Sequence, residues 1–291
     1  KLAAIVFILS IITQSIFAAS PSLGSIIPRG GKRGTEVDLN FNGDRLSDAV
    51  EILFYSPGFR VIELTPGGSP KHLKVKIVIS PDAELGEHLM RVRTKSGLSG
   101  VKSFWVGQFE TTEEVEPNSD FKEPQSISLN STIEGILENE DIDYYLVEAK
   151  KGQRISAEVE GIRLGNSFYD PYLAIMDMER FELSASDDTA LLLQDSTTSI
   201  VAPEDGKYVI LIRESSYTGN GSCRYRLHVG SFPRPIAVYP AGGQKGTDLK
   251  VNLIGDPMGK SELTVKLPDS GVSEHKIFSQ SDNLLSPSPN K

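Results

Sequence analysis

Cysteine is almost absent from this sequence: Cys223 is the only one among 291 residues. No disulfide can therefore form within the chain, and its domains must be stable through their hydrophobic cores. A small scaffold held together by disulfides is excluded. Because Cys223 alternates with Arg224 in a strand-like run, we predict that its side chain points into a core.

Basic residues are in the minority, with 30 Lys and Arg against 39 Asp and Glu and a formal net charge of −9. Phosphate contacts need clustered basic side chains, so this composition argues against a nucleic-acid partner. Long apolar runs are also lacking after the N-terminus. We therefore expect no membrane span beyond that point.

The first twenty residues have the pattern of a secretory signal peptide. Lys1 precedes an apolar run over residues 2–12, and Phe17-Ala18-Ala19-Ser20 is a small-residue cleavage site. This pattern predicts an exported protein, located in the periplasm, at the cell surface or outside the cell. The alternative is an N-terminal membrane anchor. Since the chain begins with Lys1, we also expect it to be a fragment of a longer protein.

Catalytic motifs are lacking as well. The sequence has no Gly-x-Ser-x-Gly nucleophile elbow and no His-Glu-x-x-His metal motif. Its four histidines lie far apart in the sequence and give no set with Cys223 that would hold zinc. Paired carboxylates are frequent, but chance pairs are expected among 39 acids. We predict that this stretch is not an enzyme and contains no catalytic residues.

What the sequence does contain is strand periodicity along most of its length. Val37, Leu39 and Phe41 alternate with polar residues, which is the signature of a half-buried β-strand. Similar runs recur, separated by turn signals such as Pro57-Gly58. No long helix is indicated. The pattern predicts an all-β chain of sandwiches.

An internal repeat organises the chain. Residues 27–37 (IPRGGKRGTEV) return as residues 239–249 (YPAGGQKGTDL), with the same apolar alternation. Two copies of one module therefore flank a different middle segment. Because few strands remain after the second opening, we expect the second copy to be incomplete and its tail, residues 286–289, to be poorly ordered. The acidic stretch 110–120 has no apolar periodicity and is interpreted as a linker.

The middle segment carries several landmarks of one family. They are residues 114–118 (EVEPN), 140–145 (EDIDYY), 149–153 (AKKGQ), 170–173 (DPYL), 187–188 (DD) and 202–208 (APEDGKY). In this order they resemble the bacterial pre-peptidase C-terminal (PPC) domain. The flanking repeats resemble Ig-like modules of the IPT/TIG type, and the whole arrangement resembles large exported proteins of planctomycete-type bacteria.

The resemblance implies tandem β-sandwiches: Ig-like, then jelly-roll-like, then a truncated Ig-like module. The boundaries that follow are a signal peptide at 1–20, an IPT/TIG-like sandwich at 21–108, a PPC-like jelly roll at 109–231 and an incomplete Ig-like module at 232–291.

The resemblance also implies a calcium site, since relatives in collagenases bind calcium. The candidate ligands are Glu114, Glu116, Asn118, Glu140 and Asp143. Their oxygens suit calcium. However, an extended chain would hold Glu114 and Asn118 too far apart for one ion unless it bends, which Pro117 would allow. The alternative is a solvated acidic linker. We predict no other cofactor.

Two further groups have weaker signals. Asp170, Asp177, Asp187, Asp188 and Asp195 would form a second acidic group, or each would cap a turn through its own backbone. Six aromatic residues, most of them better explained as core, would form part of a carbohydrate-stacking face. They are Tyr144, Tyr145, Phe168, Tyr169, Tyr172 and Tyr217.

Three functions remain open. The first is a non-catalytic binding or adhesion region that recognises a polymer, matrix or envelope protein. The second is the N-terminal accessory region of a secreted peptidase or other hydrolase whose catalytic domain lies beyond Lys291. The third is a structural spacer.

Overall fold

The computed structural model describes residues 20–66, 68–165, 167–190, 192–272 and 274–290. None of these residues is in an α-helix, and the prediction of an all-β chain is confirmed. No helix within these ranges has the length and hydropathy needed to cross a bilayer. The predicted signal peptide lies outside the described residues, except for Ser20.

The first module is a sandwich of two sheets. One sheet has the strand order β1 (Ser22–Ile27), β3 (Glu36–Asp44), β6 (His72–Ile79), β5 (Phe59–Pro66). The other has the order β2 (Gly30–Lys32), β9 (Lys102–Gly107), β7 (Gly86–Thr94), β4 (Ala49–Phe54), with β8 (Gly97–Leu98) paired to β7. Their inner faces form one core that includes Phe41, Ile77, Val92 and Phe104.

The central module contains two five-stranded sheets. The first has the order β10 (Glu110–Glu113), β12 (Ser131–Ile136), β19 (Arg224–Gly230), β14 (Arg154–Glu160), β17 (Thr197–Val201). The second has the order β11 (Gln125–Ser126), β13 (Ile142–Ala149), β18 (Gly206–Glu214), β15 (Pro171–Met176), β16 (Glu182–Ser186). Apolar residues from both sheets fill the space between them. Cys223 is part of this core, as predicted.

The stretch predicted to be a linker is partly a strand. Residues 110–113 form β10, which pairs in parallel with β12 at the edge of the first sheet. Only one edge of β10 is paired, and its residues are mostly exposed. The strand therefore needs no apolar alternation, and its acidic sequence gave no strand signal.

The internal repeat is visible in the strand register. In the first copy Ile26 pairs with Phe41, and at the matching place in the second copy Val238 pairs with Leu253. The second copy is a three-stranded sheet of β20 (Ala237–Tyr239), β21 (Asp248–Ile254) and β22 (Ser261–Lys266).

The residues after this sheet are not loose. They form the short hairpin β23 (Gln280–Ser281) and β24 (Leu284–Leu285), and Phe278 and Leu285 pack against the core of the first module. Ser286 and Ser288 are buried, and Ser288 hydrogen-bonds to Glu158 of the central module. The prediction of a poorly ordered tail is wrong, because these polar residues find partners in the other modules.

The outer face of the first central sheet is charged and yet buried. We call Glu134, Glu158, Glu160, Arg226 and His228 the charged face. Arg226 Nη1 lies 2.7 Å from Glu160 Oε2, and Arg226 Nε lies 3.2 Å from Glu134 Oε1. Strands β14 and β19 are buried on both sides along nearly their whole length. Buried charges are tolerated when they are paired, as these are.

The first module closes over one end of the charged face. The backbone N–H groups of Arg29 and Gly30 donate to the two carboxylate oxygens of Glu134, at 2.8 and 3.0 Å. A Cβ atom at position 30 would lie 2.5 Å from Arg226 Cζ, so this close approach requires glycine. In the second copy of the repeat Ala241 stands where Arg29 stands in the first.

The third module and the tail close over the other end. Arg234 Nε lies 2.6 Å from Glu158 Oε2, and Asp256 of the second repeat lies 2.9 Å from Arg154. Arg163 joins Glu158 to Asp195, at 3.2 and 2.6 Å, and donates to Ser288. Groups from all three modules therefore meet at one ionic network, the first module through the backbone N–H groups of Arg29 and Gly30.

The network sets the charge of Glu160. Burial raises the pKa of this carboxyl, but the charges of His228 and Arg226 outweigh burial and lower the pKa to about 2 from its ordinary 4.5. A carboxyl whose pKa is lower in the folded state stabilises the protein above its unfolded pKa and loses that contribution as the pH falls.

We expect Glu160→Gln to lower the free energy of unfolding at pH 7 by up to about 3 kcal/mol, because it removes the nearer of the two carboxylates paired with the buried Arg226. The difference from the wild type should shrink as the pH falls from 4.5 to 2. Urea denaturation at several pH values measures both effects. The control is Glu148→Gln, an exposed acid on β13. Equal stability of the two variants would contradict the role given to the network.

Candidate functional site

Three carboxylates of the central module lie close together. Glu114 and Glu116 follow β10, and Asp143 is on β13. One oxygen of each carboxylate lies within 4.8 Å of the others, and we call these three residues the carboxylate cluster. The chain bends between Glu116 and Asn118, where the Asn118 backbone N–H donates to Glu116 Oε2 at 2.9 Å. This bend brings Asn118 beside the cluster.

Hydrogen bonds from the sandwich fix Glu114. Its Oε2 accepts from the backbone N–H of Ile136 at 2.9 Å, and its Oε1 accepts from the Tyr225 hydroxyl at 2.9 Å. Gly135 on β12 pairs with Tyr225, and a Cβ there would lie 2.3 Å from the tyrosine Cζ. Glycine at 135 therefore makes room for the ring that orients Glu114.

Two oxygen atoms at this site have no hydrogen-bond partner. Asp143 is fully buried; its Oδ2 lies 2.6 Å from the Tyr225 hydroxyl, whose single proton it shares with Glu114, and its Oδ1 accepts from no group. Asn118 is also buried, and its Oδ1 has no donor. Orphaned buried oxygens are rare because their desolvation is costly. Both point to a ligand that the protein itself does not supply.

The electrostatics of the site favour a positive ligand. Burial and the neighbouring Glu114 carboxylate raise the pKa of Asp143 to about 10. Burial, Asp141 and Glu114 also raise the pKa of Glu116. A divalent cation would reverse both effects by favouring the ionised carboxylates.

The residues at the site fit calcium. Glu114, Glu116 and Asp143 offer carboxylate oxygens and Asn118 an amide oxygen, while no histidine or cysteine belongs to the cluster. Hard oxygen ligands of this kind suit calcium, and flexible coordination of six to eight oxygens leaves room for water.

Glu140 is the predicted ligand that the structure does not bring to the cluster. It lies in a turn with φ of 61°, its side chain is exposed, and its backbone N–H donates to the carbonyl of Tyr217. Four of the five predicted residues meet, and Glu140 lies apart because the turn before β13 directs it to solvent.

The residues of the second acidic group have different roles, some in turns and one in an ion pair. Asp195 is buried, pairs with Arg163, and accepts the backbone N–H groups that begin the 3₁₀ turn Ile162–Leu164. Asp177 accepts two backbone N–H groups of its own turn. Asp170, Asp187 and Asp188 lie near one another, and burial followed by these charges raises the pKa of Asp170. Among the residues described, these aspartates form no further group that could hold a metal ion.

The six aromatic residues differ in their burial. Tyr145 and Tyr169 are core residues, as expected for most of the set. Tyr144 and Tyr172 are half-buried, whereas Phe168 and Tyr217 are exposed. Sequence reasoning missed the hydroxyls of Tyr145 and Tyr225, which both donate to Glu114. Alternation along the strands predicts that both side chains point inward, but it does not predict the direction of a hydroxyl inside a core.

Comparison with known proteins gives no family assignment. No protein-family model matches the chain, and no curated protein does. Solved structures give weak likenesses. One is the pre-peptidase C-terminal domain of a collagenase from Bacillus anthracis, at 18% identity and a TM-score of 0.29, covering 40% of this chain and 99% of that domain.

Two others are more distant in sequence. The periplasmic lysozyme inhibitor PliG from Aeromonas hydrophila is 14% identical, with a TM-score of 0.26, over 36% of this chain and 95% of the inhibitor. SGBP-B from a Bacteroides ovatus glucan utilisation locus, solved with a mixed-linkage heptasaccharide, is 11% identical, with a TM-score of 0.25. That likeness covers 72% of this chain and about half (52%) of SGBP-B. Function is therefore inferred below from the chain's own residues.

We expect Tyr225→Phe to lower the free energy of unfolding by about 1–3 kcal/mol, because Asp143 and Glu114 lose the one buried hydroxyl proton that they share. Chemical denaturation in the presence of a chelator measures this loss. Tyr239→Phe, at an exposed tyrosine of the third module, is the matched control and should be neutral. A neutral Tyr225→Phe would show that the hydroxyl does not support the cluster.

Proposed function

We propose that this chain is a non-catalytic binding or accessory region of an exported protein, whose central module is a PPC-like sandwich that binds a calcium ion. Glu114, Glu116, Asn118 and Asp143 are the protein ligands. The observation that carries the calcium proposal is the pair of buried, unpartnered oxygens, Asn118 Oδ1 and Asp143 Oδ1, beside three carboxylates.

The ion has a structural task in this proposal. Glu114 and Glu116 lie on the segment that leads from the first module into the central one, and Asp143 lies on β13 of the second central sheet. A cation bound by all of them would therefore link the segment that enters the central module to the second central sheet. It also compensates the charge repulsion among carboxylates that burial would otherwise make costly.

A structural spacer is the second candidate, and the buried ionic network favours it. Contacts such as Arg29 to Glu134 and Arg234 to Glu158 fix both flanking modules on the central one. A spacer requires this rigidity but no ligand-binding surface. Binding to a polymer, matrix or envelope protein separates the two candidates.

We expect calcium to raise the melting temperature of the chelator-treated protein by about 5–10 °C at a hundredfold excess over Kd, because a ligand that binds only the folded state stabilises it. Asp143→Asn should abolish this rise. With chelator present, the same variant should be at least as stable as the wild type, because a buried carboxyl whose pKa is raised on folding destabilises the folded state at pH 7.

Glu123→Gln is the matched control, since Glu123 is an exposed acid of the same module outside the cluster. It should keep the full calcium response. A wild-type melting temperature that does not change with calcium would overturn the calcium site.

Two of the predicted ligands, Glu116 and Glu140, should differ in their effect on calcium binding. Glu116→Gln should weaken calcium binding by at least about tenfold, as expected for the loss of one charged ligand. Glu140→Gln should leave the affinity unchanged, because Glu140 lies outside the cluster. Isothermal titration calorimetry of the two variants measures both affinities. A larger loss for Glu140→Gln than for Glu116→Gln would contradict this assignment.

A further inference from the structure

Two tyrosines enclose an arginine at one end of the central module. Arg213, near the end of β18, has its Cζ 4.3 Å from the ring centroid of Tyr172 and 4.4 Å from that of Tyr217. We call these three residues the aromatic clamp. Arg213 Nη1 donates to the backbone carbonyls of Glu214 and Ser215, which fixes the guanidinium between the rings.

The loop after β18 holds Tyr217 in place. The buried Glu214 carboxylate accepts the backbone N–H groups of Ser216 and Thr218, at 2.7 and 2.9 Å. Tyr217 itself has φ of 59°, a left-handed conformation that is unfavourable for a bulky side chain. Such conformations persist where the surroundings enforce them, and they concentrate at functional sites.

Core packing does not explain this arrangement. Tyr217 is 46% exposed, so much of its surface remains in water. Tyr172 lies on the outer face of the second central sheet, in a small hydrophobic cluster built from the central module alone. The opposite sheet is covered by the flanking modules, whereas this end presents aromatic side chains at the surface.

Two aspartates lie next to Ser215, two residues after the arginine of the clamp. The backbone of Asp170 is bonded to Ser215, and Asp187 accepts the Ser215 hydroxyl. Asp170 Oδ1 has no hydrogen-bond partner although this atom is buried. Asp170 as a whole is only half-buried, so its carboxylate can turn toward a ligand that supplies a donor.

We propose that the aromatic clamp and Asp170 form a binding site for an uncharged polysaccharide. The electron-rich face of the Tyr217 ring packs against the C–H face of a sugar ring, which is slightly positive. Asp170 accepts a hydrogen bond from a sugar hydroxyl. Asp187 and Asp188 make an anionic polymer a poor ligand by charge repulsion. This proposal rests on the binding function proposed above and gives it a surface and a ligand class.

The test is retention of the full chain in affinity gels and pull-downs. The polymers are cellulose, chitin, mixed-linkage β-glucan, pectin as an anionic polysaccharide, and fibrillar collagen. We expect at least one of the three uncharged polysaccharides to retain the wild type, and pectin not to. Tyr217→Asn should weaken that retention at least about tenfold, the loss expected for an anchoring aromatic residue. Asparagine is chosen because it tolerates the left-handed backbone at 217.

Tyr55→Asn is the matched control, since Tyr55 is an exposed tyrosine of the first module with Arg91 above its ring. Asp170→Asn should weaken retention about tenfold, because it replaces a charged acceptor, whereas Asp188→Asn should not. The calcium-dependent melting temperature of each variant shows that it remains folded.

The outcomes separate this proposal from the one above. If an uncharged polysaccharide retains Tyr217→Asn as well as the wild type, the clamp is not the site, although the binding function stands. If only collagen or pectin retains the wild type, the ligand class is wrong and the binding function stands. If no polymer retains the wild type, both the clamp and the binding function fall, and the structural spacer is favoured.

Discussion

The buried pairing of Arg226 with Glu160 and Glu134 is the interaction on which the rest of this structure depends. Antiparallel sandwiches usually leave the outer faces of their sheets in water, with charged residues alternating outward. Here one outer face is charged and also buried, because the first module, the third module and the tail all rest on it. Ion pairs of this kind add little net stability, but breaking one is costly. They therefore fix which surfaces meet, and hydrophobic packing supplies the stability.

The contact between the first module and the central module also affects the position of the carboxylate cluster. Glu134 binds the backbone of Arg29 and Gly30, and β10, which follows the first module, pairs with the same strand that carries Glu134. Glu114 comes directly after β10. The docking of the first module and the placing of the first cluster residue thus depend on one strand, β12. The aromatic clamp lies on the other sheet, so that a ligand could reach it without disturbing the contact between the first and central modules.

Much of the fold was predictable because alternation and repeats are local properties. The alternation of Val37, Leu39 and Phe41 predicts a half-buried strand, and the repeat at residues 239–249 predicts a second copy of the module. Four of the five predicted ligand residues do meet. The charged face was not predictable, because alternation in β14 and β19 indicates that Glu158 and Arg226 face solvent. Only residues more than 70 positions away, such as Arg234 against Glu158 and Arg29 against Glu134, bury them. Strand β10 escaped prediction because its residues are mostly exposed, so that it carries no apolar alternation.

The exchange of Arg29 for Ala241 between the two copies of the repeat has a consequence for how such a chain diversifies. Both copies keep the apolar residues of their paired first strands, but only the first has an arginine whose side chain donates, through Nη2, to the Leu164 carbonyl of the central module. The repeated opening thus forms the same strand pairing twice, and the Arg29 side chain distinguishes one copy from the other. Exchanging the two copies along the chain would therefore remove the Arg29 contact from the interface with the central module. The place of each copy in the chain thus depends on contact residues that the repeat does not share.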